Sequence, residues 1–155
     1  TQDCRLVLLA SGDRGLEEAF RGLAARAPGR IYYQNKVDER LSHLIEAGSD
    51  FFLMPSRFEP CGLNQMYSQA YGTVPVASRV GGLVDTVLDL DEHPGAATGI
   101  LCEPSVAGLK EALRRSLELF GDPARYAAVQ RRGMIRDFSW KRSVASYERL
   151  YRDAL

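Results

Sequence analysis

The chain has 155 residues, and its 20 lysines and arginines balance 20 aspartates and glutamates, so the formal net charge is zero. A chain of this length buries roughly 70% of its unfolded-state surface, which is enough for one hydrophobic core. A composition that is 45% hydrophobic and 26% charged excludes a disordered chain. The balanced charge argues against a nucleic-acid-binding surface. No run approaches the roughly 20 apolar residues of a membrane span.

The cysteines and histidines argue against disulfides and metal sites. Cys4, Cys61 and Cys102 form an odd set without paired spacing, which fits a reduced, cytoplasmic setting. His43 and His93 have no companions at metal-ligand spacing. No basic segment followed by an apolar run opens the chain, so no signal peptide is expected. We therefore expect a cytoplasmic protein that uses no metal ion.

Short apolar runs alternate along the chain with segments of helical periodicity. The apolar runs predict strands, and the segments between them predict helices, two of them with Asp13 and Asp38 at their starts. The predicted strands cover residues 6–10, 31–33, 51–54, 74–77 and 100–102, and the helices after the third and fourth strands cover 62–71 and 83–88. Three more helices are predicted to begin at Ser105, Asp122 and Ser139.

This order of elements predicts an α/β fold. Right-handed crossovers between the strands give a Rossmann-like parallel sheet with helices on both faces, followed by several terminal helices. The run from Leu6 to Ala10 is continuously apolar, as expected for a strand buried on both faces. No linker or repeat divides the chain, so we expect a single domain over residues 1–155. In such sheets ligands bind beyond the carboxyl ends of the strands, which directs attention to the loops after Ala10, Met54 and Ala77.

Two of the predicted helices have apolar faces that need a partner. The helix over 62–71 is expected to turn four residues inward, namely Leu63, Met66, Tyr67 and Ala70. The last helix carries an apolar stripe made of Trp140, Val144, Tyr147 and Tyr151. We expect this stripe to pack on the sheet of the same domain; the alternative is an uncovered patch that favours self-association.

The loop after Met54 leads from a buried strand into a helix and contains Gly62. A glycine at this point lets a ligand approach the backbone, and the free N–H groups of Gly62, Leu63 and Asn64 would present the positive end of the helix dipole to an anion. A phosphate site is the natural interpretation. The alternative is an ordinary strand-to-helix turn that requires a glycine.

Glu59 in the same loop has a different use, because a carboxylate repels a phosphate. It could accept hydrogen bonds from sugar hydroxyls or stabilise positive charge that develops on a sugar ring. Together with an anion-binding backbone, this favours a sugar nucleotide as ligand, whereas Glu59 taken alone is more often a solvated loop residue. Gly81 and Gly82, which open the next helix, form a second candidate contact to phosphate or sugar.

These loops carry a resemblance to a known family. Residues 56–63, Gln65, residues 71–73 and residues 81–87 resemble the C-terminal nucleotide-binding domain of bacterial glycogen synthases and plant starch synthases, and residues 137–140 resemble that family's ending. These enzymes are retaining glycosyltransferases of the two-Rossmann-domain (GT-B) type. The resemblance extends over essentially the whole chain, and its ordered run of matches makes it specific.

The resemblance implies transfer of glucose from ADP-glucose to the non-reducing end of an α-1,4-glucan, with retention of anomeric configuration and without metal or other cofactor. It makes Glu59 the catalytic carboxylate that contacts the donor glucose. The residues that it places against the donor are Cys61 (without a nucleophilic role), Gly62, Leu63, Asn64, Tyr67, Val37, Val80, Gly81 and Gly82. Leu63 and Asn64 would hold the diphosphate through their backbone.

The chain departs from the wider family at a few of these positions. Many related retaining transferases carry a second glutamate eight positions after the first; here that position is Tyr67, a departure that glycogen synthases share. Val80 replaces a threonine that is usual before the glycine pair, and an aliphatic residue, Val37, stands where many bacterial members have an aromatic one against adenine. The chain also lacks the family's diphosphate-binding arginine and lysine, for which Lys36, Arg57 and Arg79 are candidates by loop position alone.

The resemblance further implies that the chain is the C-terminal half of a GT-B fold without its first strand–helix unit. The N-terminal glucan-binding domain would be absent, so the fragment alone is expected to be inactive. Two alternatives stay open: a related retaining transferase that uses UDP-glucose or another sugar nucleotide, and a non-catalytic glucan-binding or interaction module. Neither a nucleic acid nor a membrane is expected as a partner.

Overall fold

A computed structural model describes residues 4–36 and 38–154 of the chain. The chain divides into two compact units, Thr1–Ile45 and Glu46–Leu155. The expectation of a single domain over the whole chain stays a prediction. Within the described residues, no helix is long and apolar enough to cross a membrane.

The first unit contains two parallel strands and the helix that connects them. Its elements, together with the helix that leads into the second unit, are β1 (Leu6–Leu9), α1 (Arg14–Arg26), β2 (Ile31–Gln34) and α2 (Glu39–Gly48). Asp13 Oδ1 accepts a hydrogen bond from the backbone N–H of Leu16 at 2.9 Å, and Asp38 Oδ1 accepts one from Leu41 at 2.9 Å. Both predicted helix starts are therefore confirmed, with the side chain satisfying one backbone donor of the first turn.

The prediction that β1 is buried on both faces is wrong. Val7 is 43% exposed and its register partner Tyr32 is 50% exposed. Neighbouring residues of a strand point to opposite faces, and Tyr33, next to Tyr32, stacks on Phe20 of α1 with ring centroids 5.9 Å apart. Within this unit α1 packs on the face that bears Tyr33, and the side chains of Val7 and Tyr32 on the other face are about half exposed.

The second unit holds a three-stranded parallel sheet in the order β3–β4–β5. Its elements are β3 (Phe51–Met54), α3 (Asn64–Tyr71), β4 (Val74–Ser78), α4 (Leu83–Thr86), β5 (Ile100–Cys102), α5 (Val106–Phe120), α6 (Pro123–Met134) and α7 (Trp140–Asp153). The bounds agree closely with those expected. Gly72 ends α3 in the left-handed conformation, at φ 81°, where glycine carries no steric penalty.

Both faces of this sheet are covered, as alternation along the strands requires. One face forms the larger core, in which Val74, Val76 and Ile100 pack against Leu119 of α5 and Val129 of α6. The opposite face forms a smaller cluster that includes Ala77, Leu101 and Leu83 of α4. Parallel strands with helices on both faces confirm the predicted α/β fold class.

A buried ion pair ties the segment after α4 to α5. Asp89 is almost fully buried, and Arg115 of α5 donates to both of its carboxylate oxygens at 2.9 and 3.1 Å. Burial raises the pKa of the Asp89 carboxyl, but hydrogen bonds from the backbone N–H groups of Leu101 and Asp91 and from Arg115 outweigh burial and hold that pKa below its usual range. The charged form of Asp89 therefore stabilises the fold.

The expected packing of the last helix on the sheet is wrong. No residue of α7 is buried, and its stripe is exposed at Trp140 (77%) and Tyr151 (65%). The larger core of the sheet is already filled by α5 and α6, which leaves no sheet surface there for a third helix. The alternative, an uncovered apolar stripe, is the arrangement found, and self-association through it stays a prediction.

Candidate functional site

The register of the second sheet brings the two glycine-containing loops to one edge. Met54, the last residue of β3, pairs with Ala77 of β4. Since the two strands are parallel, the loop after Met54, called here the Glu59 loop (residues 55–63), and the turn after Ser78, called here the glycine turn (residues 79–82), start side by side. This edge is where ligands bind in parallel α/β sheets.

The backbones of the two loops are in direct contact. The N–H of Gly82 points to the carbonyl oxygens of Glu59 and Pro60, each at 3.3 Å. A Cβ atom on Gly81, whose φ is +46°, would lie 1.9 Å from the oxygen of Glu59, and one on Gly82 would lie 2.8 Å from Cα of Cys61. The two glycines are thus needed where the loops pass each other, and their contact with a ligand stays a prediction.

Gly62 is required for a similar reason. Its φ is +74°, and a Cβ atom there would lie 2.5 Å from Oε1 of Gln65 and 2.9 Å from Cε of Met54. The space that a side chain would take is therefore filled by protein atoms. Backbone conformation and packing thus account for this glycine, and the interpretation that it lets a ligand approach the backbone stays a prediction.

The start of α3 presents unsatisfied backbone donors. Leu63 occupies the N-cap position, and no side chain caps the helix. Among the described residues, the N–H groups of Leu63 and Asn64 have no acceptor. Uncapped amides at a helix start carry partial positive charge and suit an anion.

Glu59 lies on the loop that leads to these donors, and its carboxylate has no partner among the described residues. The side chain is partly buried, and within residues 4–36 and 38–154 no hydrogen bond or ion pair engages its oxygens. Cys61 has an exposed thiol, whose sulfur donates to the carbonyl of Gly62 at 3.4 Å. A loop with a free carboxylate and uncapped amides offers acceptors for hydroxyl groups and donors for an anion.

The buried face of α3 is polar, so the predicted inward positions are wrong. Gln65 is 0% exposed, whereas Leu63 is 54% and Tyr67 is 42% exposed. The buried residues of the helix are Gln65, Ser68 and Gln69. Hydrophobicity cannot identify this face, because these side chains are buried by making hydrogen bonds instead of by being apolar.

The buried amides connect the Glu59 loop to the glycine turn. Gln65 Nε2 donates to the carbonyls of Cys61 at 3.0 Å and Gly62 at 3.1 Å, and to Oγ1 of Thr86 at 3.1 Å. Thr86 Oγ1 donates in turn to the carbonyl of Gly82 at 2.8 Å. Sequence reasoning missed this network; its one available signal was two glutamines four positions apart on a helix that the fold requires to be half buried.

Three further residues are predicted to contact the sugar nucleotide, namely Val80, Tyr67 and Val37. The side chain of Val80 packs against the cluster formed by Ala77 and Leu83, away from open space. Tyr67 lies on the exposed side of α3. Val37 lies outside the described residues.

The three cations proposed for the diphosphate differ in their surroundings. The guanidinium of Arg79 is paired with Glu92 at 2.8 Å and lies 4.0 Å from Glu103, so its charge is already neutralised. Arg57 is exposed on the Glu59 loop itself. Lys36 belongs to the first unit. Arg57 is thus the candidate that shares the loop with Glu59.

A parallel sheet whose strand ends carry an uncapped helix start and a free carboxylate fits a transferase that acts on nucleotide-bound sugars. Residues 2–131 match the family described as "Glycosyl transferases group 1". The chain belongs to this family. Its expected position as the C-terminal half of a GT-B fold stays a prediction.

The chain is similar to about a third of several longer proteins. It is 59% identical over 155 residues to glycogen synthase of Opitutus terrae, covering 100% of this chain and 32% of that protein. It is 51% identical over 153 residues to glycogen synthase of Aeromonas salmonicida, with 97% and 32% covered. The solved catalytic domain of starch synthase IV from Arabidopsis thaliana, bound to ADP and acarbose, superimposes with a TM-score of 0.85 at 35% identity, over 96% of this chain and 32% of that one. The chain thus spans about a third of the length of its curated relatives.

Proposed function

We propose that the chain is the donor-binding domain of a glycogen or starch synthase. The full protein would transfer glucose from ADP-glucose to the non-reducing end of an α-1,4-glucan, with retention. The observation that carries the proposal is that one loop holds both the free carboxylate of Glu59 and the uncapped amides at the start of α3, and that the N–H of Gly82 contacts the backbone of this loop. The similarity to glycogen synthases and to a starch synthase bound to ADP supports it.

The two parts of the site have complementary tasks in this reaction. The amides of Leu63 and Asn64 bind the diphosphate and stabilise the negative charge that grows on it as the bond to glucose breaks. The carboxylate of Glu59 accepts hydrogen bonds from glucose hydroxyls, and its charge favours the positive charge that develops at the anomeric carbon. One part stabilises the leaving group and the other the sugar.

Elongation requires more than this domain. A glucan acceptor has to be held and water excluded, and preorganised charge is effective only in a closed site. We propose that a second domain of the full protein supplies both functions, and that this chain alone binds nucleotide weakly and does not elongate glucan. Glucan elongation by the isolated chain would contradict this statement.

The donor can be tested by calorimetric titration of the chain with ADP, ADP-glucose and UDP. We expect ADP to bind at millimolar concentration and UDP to bind more weakly, since Tyr67 stands where UDP-using relatives carry a glutamate. Equal affinity for ADP and UDP would favour the alternative donor. No heat with any nucleotide would favour a non-catalytic module.

The matched variant is Glu59→Gln, which keeps the size of the side chain and removes its charge. The proposal expects the ADP affinity to stay within about twofold, because the diphosphate contacts are untouched, and the extra affinity of ADP-glucose over ADP to fall. If ADP binding falls equally, the role assigned to Glu59 is wrong.

A further inference from the structure

We propose that Gln65 and Thr86 are positioning residues that hold the backbone of the Glu59 loop against the glycine turn and thereby fix the position of the Glu59 carboxylate. The inference rests on the proposed function of Glu59 for its consequence in binding. The backbone geometry on which it stands does not depend on that function.

The carboxylate of Glu59 is not held by its own contacts. No described residue donates to its oxygens, so its position depends on the main chain that carries it. A site that must act on a sugar needs such a carboxylate to be both free and fixed, because a misplacement of about 1 Å lowers the rate of a preorganised reaction strongly. The restraint has to come through the backbone.

Two donor groups supply that restraint. The N–H of Gly82 engages the carbonyls of Glu59 and Pro60, and the side-chain amide of Gln65 engages those of Cys61 and Gly62. Four successive carbonyls of the Glu59 loop are therefore bound from outside the loop. Because both partners of the Gln65 amide within the loop are carbonyl oxygens, the nitrogen and not the oxygen has to face them.

Thr86 joins the two donor groups to each other. Its hydroxyl accepts from Gln65 Nε2 and donates to the carbonyl of Gly82. Gln69 Nε2 links the two residues further by donating to the backbone carbonyls of Gln65 at 2.9 Å and Thr86 at 3.0 Å. A hydroxyl with one donor and one acceptor partner at this point sets the distance between the Glu59 loop and the glycine turn.

Apolar packing does not account for the two buried glutamines of the network. Within the described part of the chain, Gln65 Oε1 and Gln69 Oε1 are buried without a hydrogen-bond partner, and an unpaired buried oxygen is unfavourable. A methionine or leucine of similar volume would fill the space without that penalty. Its amide hydrogens are what Gln65 adds over an apolar side chain.

The test compares Thr86→Val, which removes the hydroxyl at nearly constant shape, with Thr86→Ser, which keeps it, and adds Gln65→Met as an independent variant. Ser116→Ala is the control, since it also removes a buried helical hydroxyl, one that donates to Ala112 within α5. The first readout is amide hydrogen exchange by NMR. We expect the Gly82 amide to exchange at least tenfold faster in Thr86→Val and Gln65→Met, relative to the amide of Val129, with the ratio restored in Thr86→Ser and unchanged in Ser116→Ala.

The second readout is the ratio of ADP-glucose to ADP affinity, measured at a temperature where every variant is folded. We expect this ratio to fall about fivefold in Thr86→Val and to recover in Thr86→Ser. Equal acceleration of all amides would show that the network only stabilises the fold and would overturn the proposal, as would an unchanged Gly82 amide in both variants. If the unmodified chain does not distinguish ADP-glucose from ADP, the proposed function fails, and the exchange data still decide whether Gln65 and Thr86 hold the loop.

Discussion

Replacing Gly81 by alanine should damage both the fold and the site. The new Cβ would lie 1.9 Å from the carbonyl oxygen of Glu59, about 1.4 Å inside the roughly 3.3 Å at which carbon and oxygen meet. Neither atom belongs to a flexible side chain, so one of the two loops has to move. The left-handed conformation of Gly81 adds about 1–2 kcal/mol of strain for alanine.

The expected loss of stability follows from these contributions. Moving the loops apart also removes the contact between the N–H of Gly82 and the carbonyl of Glu59, worth about 0.5–1.5 kcal/mol. We expect the free energy of unfolding to fall by about 2–3 kcal/mol in total. Displacement of the Glu59 backbone by an ångström should lower the affinity for ADP-glucose about tenfold, equivalent to about 1.4 kcal/mol.

The control is Gly95→Ala, because a Cβ at Gly95 meets nothing within 4 Å and its φ is not positive. Both variants lower the conformational entropy of the unfolded chain by the same glycine-to-alanine change. The difference between their free energies of unfolding therefore reports the effect on the folded state. Urea unfolding followed by circular dichroism gives the stabilities, and calorimetry gives the affinities. If the two variants unfold within about 0.5 kcal/mol of each other and bind ADP-glucose equally, the close approach of the two loops is not real.

Three further predictions concern other parts of the chain. Asp89→Asn should lower the free energy of unfolding by about 2–4 kcal/mol at pH 7, because it removes the buried carboxylate that pairs with Arg115 and leaves only the exposed Asp91 as its ionic partner. Glu111→Gln, which removes one partner of an exposed pair, should cost less than about 0.5 kcal/mol. Equal losses in urea unfolding would contradict this. The pKa of Asp89 is lower in the folded chain than in the unfolded one. The stabilisation by its charge is therefore present above about pH 4 and is lost as the pH falls through the folded pKa. The free energy of unfolding should accordingly depend less steeply on pH in the acid range in Asp89→Asn. Trp140→Ser should reduce self-association of the chain in sedimentation experiments at high concentration, whereas a strict monomer before the substitution would show that the α7 stripe does not associate.

The order and class of the elements could be predicted from local sequence. Apolar runs of four or five residues between capped periodic segments are sufficient for parallel strands and crossover helices, and Asp13 made the predicted capping bond. The same reasoning failed for the faces of α3 and α7. A helix face is identified by its apolar residues, but Gln65 is buried through hydrogen bonds and Trp140 is exposed.

The position of the candidate site could be predicted from the sequence, but the structural role of its glycines could not. Strand order and loop composition place Glu59 and Gly81 at one edge of the sheet. The close approach of Gly81 to the carbonyl of Glu59 depends on the register of β3 and β4, which no local pattern contains. The sequence predicts a ligand contact at Gly81, which stays a prediction, whereas the packing of Gly81 against the Glu59 loop is visible only in the structure.

The way in which Glu59 is held also constrains what it can do. A carboxylate fixed by arginine or by backbone N–H groups would have its lone pairs occupied and its charge partly neutralised. Restraint through the carbonyls of residues 59–62 leaves both oxygens of Glu59 unoccupied. The glycine turn and the buried amide of Gln65 thus fix Glu59 through its backbone. A direct contact to the side chain would instead occupy the carboxylate oxygens, which a sugar needs as hydrogen-bond acceptors. For this reason the glycines and Gln65 should tolerate substitution no better than Glu59 itself when the affinity for the sugar part of the donor is measured.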